Sequence, residues 1–177
     1  MTSIVGISRD GKVYIGGDSC GSGGQTWMHI SSPKVFINGQ FMFGCCGSFR
    51  MMDLLRYSLS VEPQNNNQND AAYVRTTFIS ALRKLFKEAG FLRDSPSDRG
   101  GNFLLGYRGN LYEVQDDFSV LDTPDWGHSI GTGEAAARGS LFTTRGDWDC
   151  FRRVEQALAA AEAVTPSVRG PFVTLDF

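Results

Sequence analysis

The run Thr2-Ser3-Ile4-Val5-Gly6-Ile7-Ser8-Arg9-Asp10-Gly11-Lys12-Val13-Tyr14-Ile15-Gly16-Gly17-Asp18 decides how this chain begins to fold. Two β-prone stretches flank Asp10-Gly11, a dipeptide that tolerates the positive backbone angles of a tight hairpin turn. The reading is a hairpin whose first strand starts at the N-terminus itself. A glycine- and serine-rich loop follows, through Gly24. The pattern then repeats in Lys34-Val35-Phe36-Ile37, the turn Asn38-Gly39, and Gln40-Phe41-Met42-Phe43-Gly44-Cys45-Cys46. Two hairpins in succession indicate an antiparallel sheet.

From Ser48 the period lengthens. Met51, Met52, Leu54, Leu55 and Leu59 fall at helical spacing, with Ser48 as N-cap. A polar connector, Pro63-Gln64-Asn65-Asn66-Asn67-Gln68-Asn69, leads to Asp70. This residue is placed to cap a second helix whose Val74, Phe78, Leu82, Leu85 and Phe86 share one face, ending near Gly90. Arg93 to Gly101 reads as a loop. A third hairpin follows in Phe103-Leu104-Leu105-Gly106-Tyr107 and Leu111-Tyr112-Glu113-Val114, and then a strand through His128-Ser129-Ile130. Helices over 134–142 and 152–163 and a closing strand over 171–175 complete the pass. Strands, two helices, strands, two helices and a strand can bury every apolar face as an α+β, four-layer α/β/β/α sandwich of two antiparallel sheets flanked by helices. No domain boundary interrupts 1–177, so one domain is expected.

The chain has 177 residues, 41% hydrophobic and 20% charged, with 17 Lys+Arg against 19 Asp+Glu. A net charge of −2 argues against a surface built to neutralise phosphates, so no nucleic-acid partner is expected. No apolar run approaches the roughly 20 residues of a membrane helix, and no secretion signal is visible. No membrane association and a cytoplasmic location are the expectations. Cys20, Cys45, Cys46 and Cys150 lack paired metal-ligand spacing and read as small buried thiols; His29 and His128 have no partner histidine nearby. No metal and no cofactor are expected.

Chemistry centres on Thr2. Threonine is small enough that Met1 is normally removed during synthesis, leaving a hydroxyl and a primary amine on adjacent carbons. An α-amine titrates at about 7.7–8.0 and can accept the hydroxyl proton, so nucleophile and general base are one residue. Asp18 ends the second strand and Lys34 begins the third, each sixteen residues after the previous member of the set. A hairpin turning at Asp10-Gly11 brings Asp18 beside Thr2. A lysine held there lowers the proton affinity of a neighbouring amine by like-charge repulsion and favours negative charge developing on Oγ. On spacing alone, a surface aspartate and lysine flanking strands would account for the same residues.

These residues, together with Gly16-Gly17-Asp18-Ser19 and Pro33-Lys34-Val35, resemble the start of the proteasome-type threonine peptidases, which are N-terminal-nucleophile hydrolases. Within them the chain most resembles the HslV type, the proteolytic half of the HslVU protease. Gly44-Cys45-Cys46-Gly47-Ser48 is similar to the family's glycine-rich strand-to-helix segment. Ser129-Ile130-Gly131-Thr132-Gly133, followed by Ala135-Ala136-Ala137-Arg138, resembles its Gly-Ser-Gly element. The resemblance implies Thr2 as nucleophile, Lys34 tuning its amine and Asp18 fixing Lys34. It further implies the Gly47 N–H aimed at the oxyanion and the Thr132 hydroxyl beside the terminal amine. It implies a homo-oligomeric ring or spiral acting on polypeptides, with an ATP-driven unfoldase as partner.

Two departures stand out. Where the family commonly carries an aspartate supporting the amine, this chain has Val164 or Thr165. The segment Ser22 to Ser32, which lines the substrate cleft in the family, here carries Trp27, Met28 and His29, implying a different substrate preference. Cys45 and Cys46 would lie near the specificity pocket as apolar volume. A non-catalytic assembly protein of the same fold, or an amide hydrolase acting on a small substrate, are the alternatives. A retained Met1 would turn the base into an amide nitrogen, which cannot accept the proton.

Overall fold

The computed structural model describes residues 2–23, 26–92, 100–147 and 149–177. β1 (Ser3–Arg9) and β2 (Lys12–Gly17) form the first hairpin, with Asp10 at φ 52° and Gly11 at φ 75° in the turn. Those are the left-handed angles that an Asp-Gly pair accepts at low cost. β3 (Cys20–Gly23) and β4 (Thr26–His29) form a separate two-stranded ribbon where a glycine-rich loop was expected. Gly24 and Gln25 lie outside the described residues, as do residues 93–99 of the loop expected from Arg93 to Gly101. β5 (Val35–Asn38) and β6 (Phe41–Cys45) form the second hairpin.

The helices follow as α1 (Phe49–Tyr57), α2 (Asp70–Tyr73), a π-helical turn (Val74–Phe78) and α3 (Ile79–Glu88), the last three being consecutive in the chain. β7 (Phe103–Tyr107), β8 (Asn110–Val114), the short β9 (Val120–Asp122) and β10 (His128–Gly131) come next. α4 (Glu134–Thr143), α5 (Cys150–Val164) and β11 (Val173–Asp176) close the chain. Ser48 caps α1 as expected, its hydroxyl accepting from the Met51 N–H at 3.2 Å. The cap at residue 70 shifts by one. Asn69, not Asp70, accepts from the Ala72 N–H at 2.8 Å, and Asp70 becomes the first helical residue, where its charge complements the helix dipole.

The two hairpins do not share a sheet. One sheet has the order β10-β1-β2-β11, the other β5-β6-β7-β8-β9, both antiparallel. Strand alternation explains why they stack. On β1, Ile4 turns toward the second sheet, where it joins Val13, Ile15, Val35, Met42, Leu104, Leu111 and Ile130. Val5 and Ile7 turn the other way, onto Ala137, Leu141, Val154, Leu158 and Ala161 of α4 and α5. On the second sheet, Phe41, Phe43, Phe103, Leu105, Tyr107 and Val114 face α1 to α3, meeting Leu55, Phe78, Leu82 and Phe86. Phe41 stacks on Tyr107 at 5.1 Å and tilts against Phe78 at 4.9 Å. The abundance of phenylalanine is spent on this outer layer, where each ring fully withdrawn from water contributes about 1.5–3 kcal/mol. The result is helix, sheet, sheet, helix, as the element order indicated.

Candidate active site

The β1–β2 register pairs Ile4 with Gly17, which sets Ser3 opposite Asp18. The Asp18 Oδ1 accepts from the Ser3 N–H at 2.9 Å, and its Oδ2 accepts from the Cys20 N–H at 3.0 Å. Lys34 enters from the residue before β5. Its ammonium carries three protons, and it donates to Asp18 Oδ1 at 2.9 Å, to Thr2 Oγ1 at 2.9 Å and to the Cys20 carbonyl at 2.7 Å. Thr2, Asp18 and Lys34 are 4%, 1% and 2% exposed. An ion pair this deep is stable only if every remaining polar group finds a partner, and here the backbone supplies them. Because Lys34 can only donate, Thr2 Oγ1 accepts that bond, and its own proton remains to be given elsewhere.

The Thr2 main chain is gripped from β10 and the start of α4. Thr132 Oγ1 lies 3.3 Å from the Thr2 nitrogen and 3.3 Å from the Thr2 carbonyl, and the Gly133 N–H donates to that carbonyl at 3.4 Å. Gly131 has φ 94°, and a Cβ there would run into the Thr2 carbonyl, so only glycine lets β10 come this close. Met1 lies outside the described residues. Gly47, at φ 91° in the turn from β6 to α1, lines the same cavity as Thr2. All five residues singled out in the sequence therefore converge.

That cavity, about 500 Å³, is lined by Thr2, Cys46, Gly47, Asn102, Gly131, Thr132 and Glu134. The two cysteines diverge across the strand end: Cys45 is fully buried, whereas Cys46 turns to the cavity. Burial, and then the charge of Glu113, push the Cys46 thiol up to about 11, which leaves it protonated and a poor nucleophile. Trp27 and Met28 on β4 are each 63% exposed and do not line this cavity.

Three features escaped the sequence reading. Of the two positions aligned with the family's aspartate, Val164 is 70% exposed at the end of α5 and Thr165, just after it, is half-buried. Ser167 is buried instead, with its hydroxyl 3.4 Å from Thr132 Oγ1. A turn closed by the Val168 N–H on the Thr165 carbonyl at 3.0 Å brings it there, and only Pro166 after the helix hinted at such a turn. Finally, Glu113 on β8 is buried between His128 and Asn102, with no local motif to announce it. Its Oε2 is 2.6 Å from His128 Nε2, and its Oε1 accepts from Asn102 Nδ2 at 3.2 Å. A carboxylate can only accept, so His128 Nε2 carries the proton; Arg138 Nη2, 3.4 Å from the same nitrogen, is a neighbour and not a donor to it. Among the described residues no group of three or more His, Cys, Asp or Glu could hold a metal ion.

Comparison with known proteins bears on the fold. No protein-family model matches the sequence. Among solved structures, Thiobacillus denitrificans BPH in complex with epoxomicin superposes with a TM-score of 0.80 at 17% identity, covering 99% of this chain and 97% of that one. Eukaryotic HslV from Trypanosoma brucei gives 0.71 at 16% identity, covering 98% of each chain. The Gly-1 mutant of Anbu from Hyphomicrobium sp. strain MC1 gives 0.71 at 13% identity, covering 100% of this chain and 82% of that one. The fold is that of the proteasome-like N-terminal-nucleophile peptidases. No helix among the described residues is long and apolar enough to cross a membrane.

Proposed function

We propose that this chain is a threonine-type endopeptidase in which Thr2, exposed by removal of Met1, attacks peptide bonds with its own α-amine as base. The observation that carries the reading is the buried Lys34 ammonium, 2.9 Å from Thr2 Oγ1 and 2.9 Å from Asp18. In the first step the amine takes the Oγ proton while Oγ bonds to the substrate carbonyl carbon. Lys34 stabilises the charge on Oγ, and the Gly47 N–H is the donor for the oxyanion, a role commonly worth about 3 kcal/mol. Collapse breaks the C–N bond, the ammonium returns its proton to the leaving amine, and an ester on Thr2 remains. Water, deprotonated by the same amine, then releases the acid. Thr132, backed by Ser167, holds the amine in line with Oγ.

As one domain of 177 residues with the site at the ends of β1 and β2, the chain fits a cytoplasmic, homo-oligomeric ring or spiral that encloses its sites and receives polypeptides from an ATP-driven unfoldase. The test has two readouts. Intact mass is expected to lack one methionine. Peptide hydrolysis is expected to fall at least about 10³-fold in Thr2→Ala and to survive in Thr2→Ser, with melting temperatures unchanged. Retained Met1, or hydrolysis indifferent to Thr2→Ala, would sink the mechanism and leave a structural role.

A further inference from the structure

Gly47, whose N–H is the donor for the oxyanion, is not held by packing of its own. A Cβ built on it would meet no atom within 4 Å, so its neighbours in the chain aim that N–H. After it, Ser48 is fixed as the cap of α1. Before it, Cys46 is fixed twice to one atom, the Asn102 carbonyl oxygen, by its N–H at 3.3 Å and by its thiol at 3.4 Å. The place of that carbonyl therefore decides where the turn begins.

Asn102 is anchored in its turn. Its Nδ2 donates to Glu113 Oε1 at 3.2 Å, and the flipped amide is excluded because it would set an oxygen against the carboxylate. Asn102 Oδ1 has no partner among the described residues, so the bond to Glu113 is the polar anchor of this side chain there. His128 holds the other Glu113 oxygen at 2.6 Å. Gly100 and Gly101 bring the chain to Asn102 without spare room, since a Cβ on the first would strike the Phe118 ring and on the second the Met51 sulfur. None of Asn102, Glu113 and His128 takes part in proton transfer at Thr2, yet burying such polar groups beside the cavity carries a desolvation cost.

We propose that Asn102 is a positioning residue for the oxyanion donor, held in place by Glu113 and His128. The inference rests on the peptidase reading and deepens it. If Asn102 comes off Glu113, its carbonyl moves, Cys46 follows, and the Gly47 N–H swings away from the point where negative charge develops. Substrate binding does not feel that shift, because the oxyanion exists only after Oγ has attacked. The cost falls on kcat.

The test measures kcat and KM per folded molecule, with folding followed by circular dichroism, on protein whose mass shows Met1 removed. Asn102→Ala is expected to lower kcat about tenfold and to change KM less than about twofold, as suits a donor displaced and not deleted. Glu113→Leu should lose about as much, and the double variant no more than either alone. Glu113→Gln keeps an acceptor for Asn102 Nδ2 and should return kcat to within about threefold of the unaltered protein. A merely structural cluster would lower stability without this split between kcat and KM. Should Glu113→Leu fail to fold, the comparison of Asn102→Ala with Glu113→Gln decides. An unchanged kcat in Asn102→Ala, a loss confined to KM, or a Glu113→Gln as slow as Asn102→Ala overturns this inference and leaves the peptidase reading standing. No hydrolysis by the unaltered protein overturns both.

Discussion

The two sides of the Thr2 cavity are built on opposite terms. On the near side, Lys34 meets Asp18, Thr2 and the Cys20 carbonyl, so its three protons and both carboxylate oxygens are engaged. On the far side, Glu113 is also buried, though less deeply, and its partners are a histidine and an amide whose own oxygen has no partner among the described residues. A saturated ion pair holds one geometry and supplies one field. The Glu113 cluster instead carries one shielded acceptor with no partner among the described residues. The contrast is between a cluster with every bond made and one with a bond left over.

Breaking the near side should have the largest effect. Lys34→Met leaves Asp18 buried without its counter-ion, which commonly costs about 3–5 kcal/mol. Hydrolysis should fall by about 10² or more even where the variant remains folded, because the charge facing Thr2 Oγ1 is gone. Urea melts and peptide turnover measured on the same sample check both. A variant that loses turnover without losing stability would mean that the ion pair carries no net structural weight.

Next comes the β10 contact that positions the Thr2 main chain. Gly131→Ala drives a Cβ toward the Thr2 carbonyl at a backbone angle that alanine resists. Overpacking of this kind costs about 1–3 kcal/mol. The accompanying shift of Thr2 should lower kcat about tenfold with little change in KM. Gly47→Ala sharpens the point. It has the same unfavourable sign of φ but open space around the added carbon, so it should cost only about 1 kcal/mol of stability. Equal losses in the two variants would show that backbone strain alone, and not collision with Thr2, explains the first.

Thr2 and Asp18 were legible in the sequence because they flank adjoining strands of one hairpin, whereas Lys34 comes from the start of the other sheet and was pointed to by the resemblance. Asp10-Gly11 fixes the turn, the turn fixes the register, and the register sets Asp18 beside Ser3. Cys46, Asn102 and Glu134 line the cavity, with Glu113 bonded to Asn102 and His128 to Glu113, a set brought together by pairings between distant strands, and no periodicity encodes that. Ser167 hid for a related reason: it follows a helix end whose turn, not whose sequence, decides where the hydroxyl points. The β3–β4 ribbon was hidden by its glycines and β9 by its brevity, with only three residues at a sheet edge. The π-helical turn keeps Val74 and Phe78 on the buried face, so apolar spacing alone read it as ordinary helix.

The smallest effect expected lies on the far side and is visible only as a function of pH. The hydrogen bond from His128 is the main reason that the Glu113 carboxyl titrates below its ordinary value, against the opposing effect of burial. A folded-state value below the unfolded one means that folding favours the ionised form. The stabilisation is therefore complete above the unfolded carboxylate value and is lost as pH falls through the depressed one. Glu113→Gln removes this contribution while retaining an acceptor for Asn102. At pH 7 the variant should be less stable by roughly 1.5 kcal/mol, the low end for a hydrogen bond to a charged group. The difference between the two melting temperatures should close as pH drops below about 4. A gap that stays constant into acid would mean that shape and not charge holds His128 and Asn102 together. The far wall would then resemble the near side more closely than its geometry suggests.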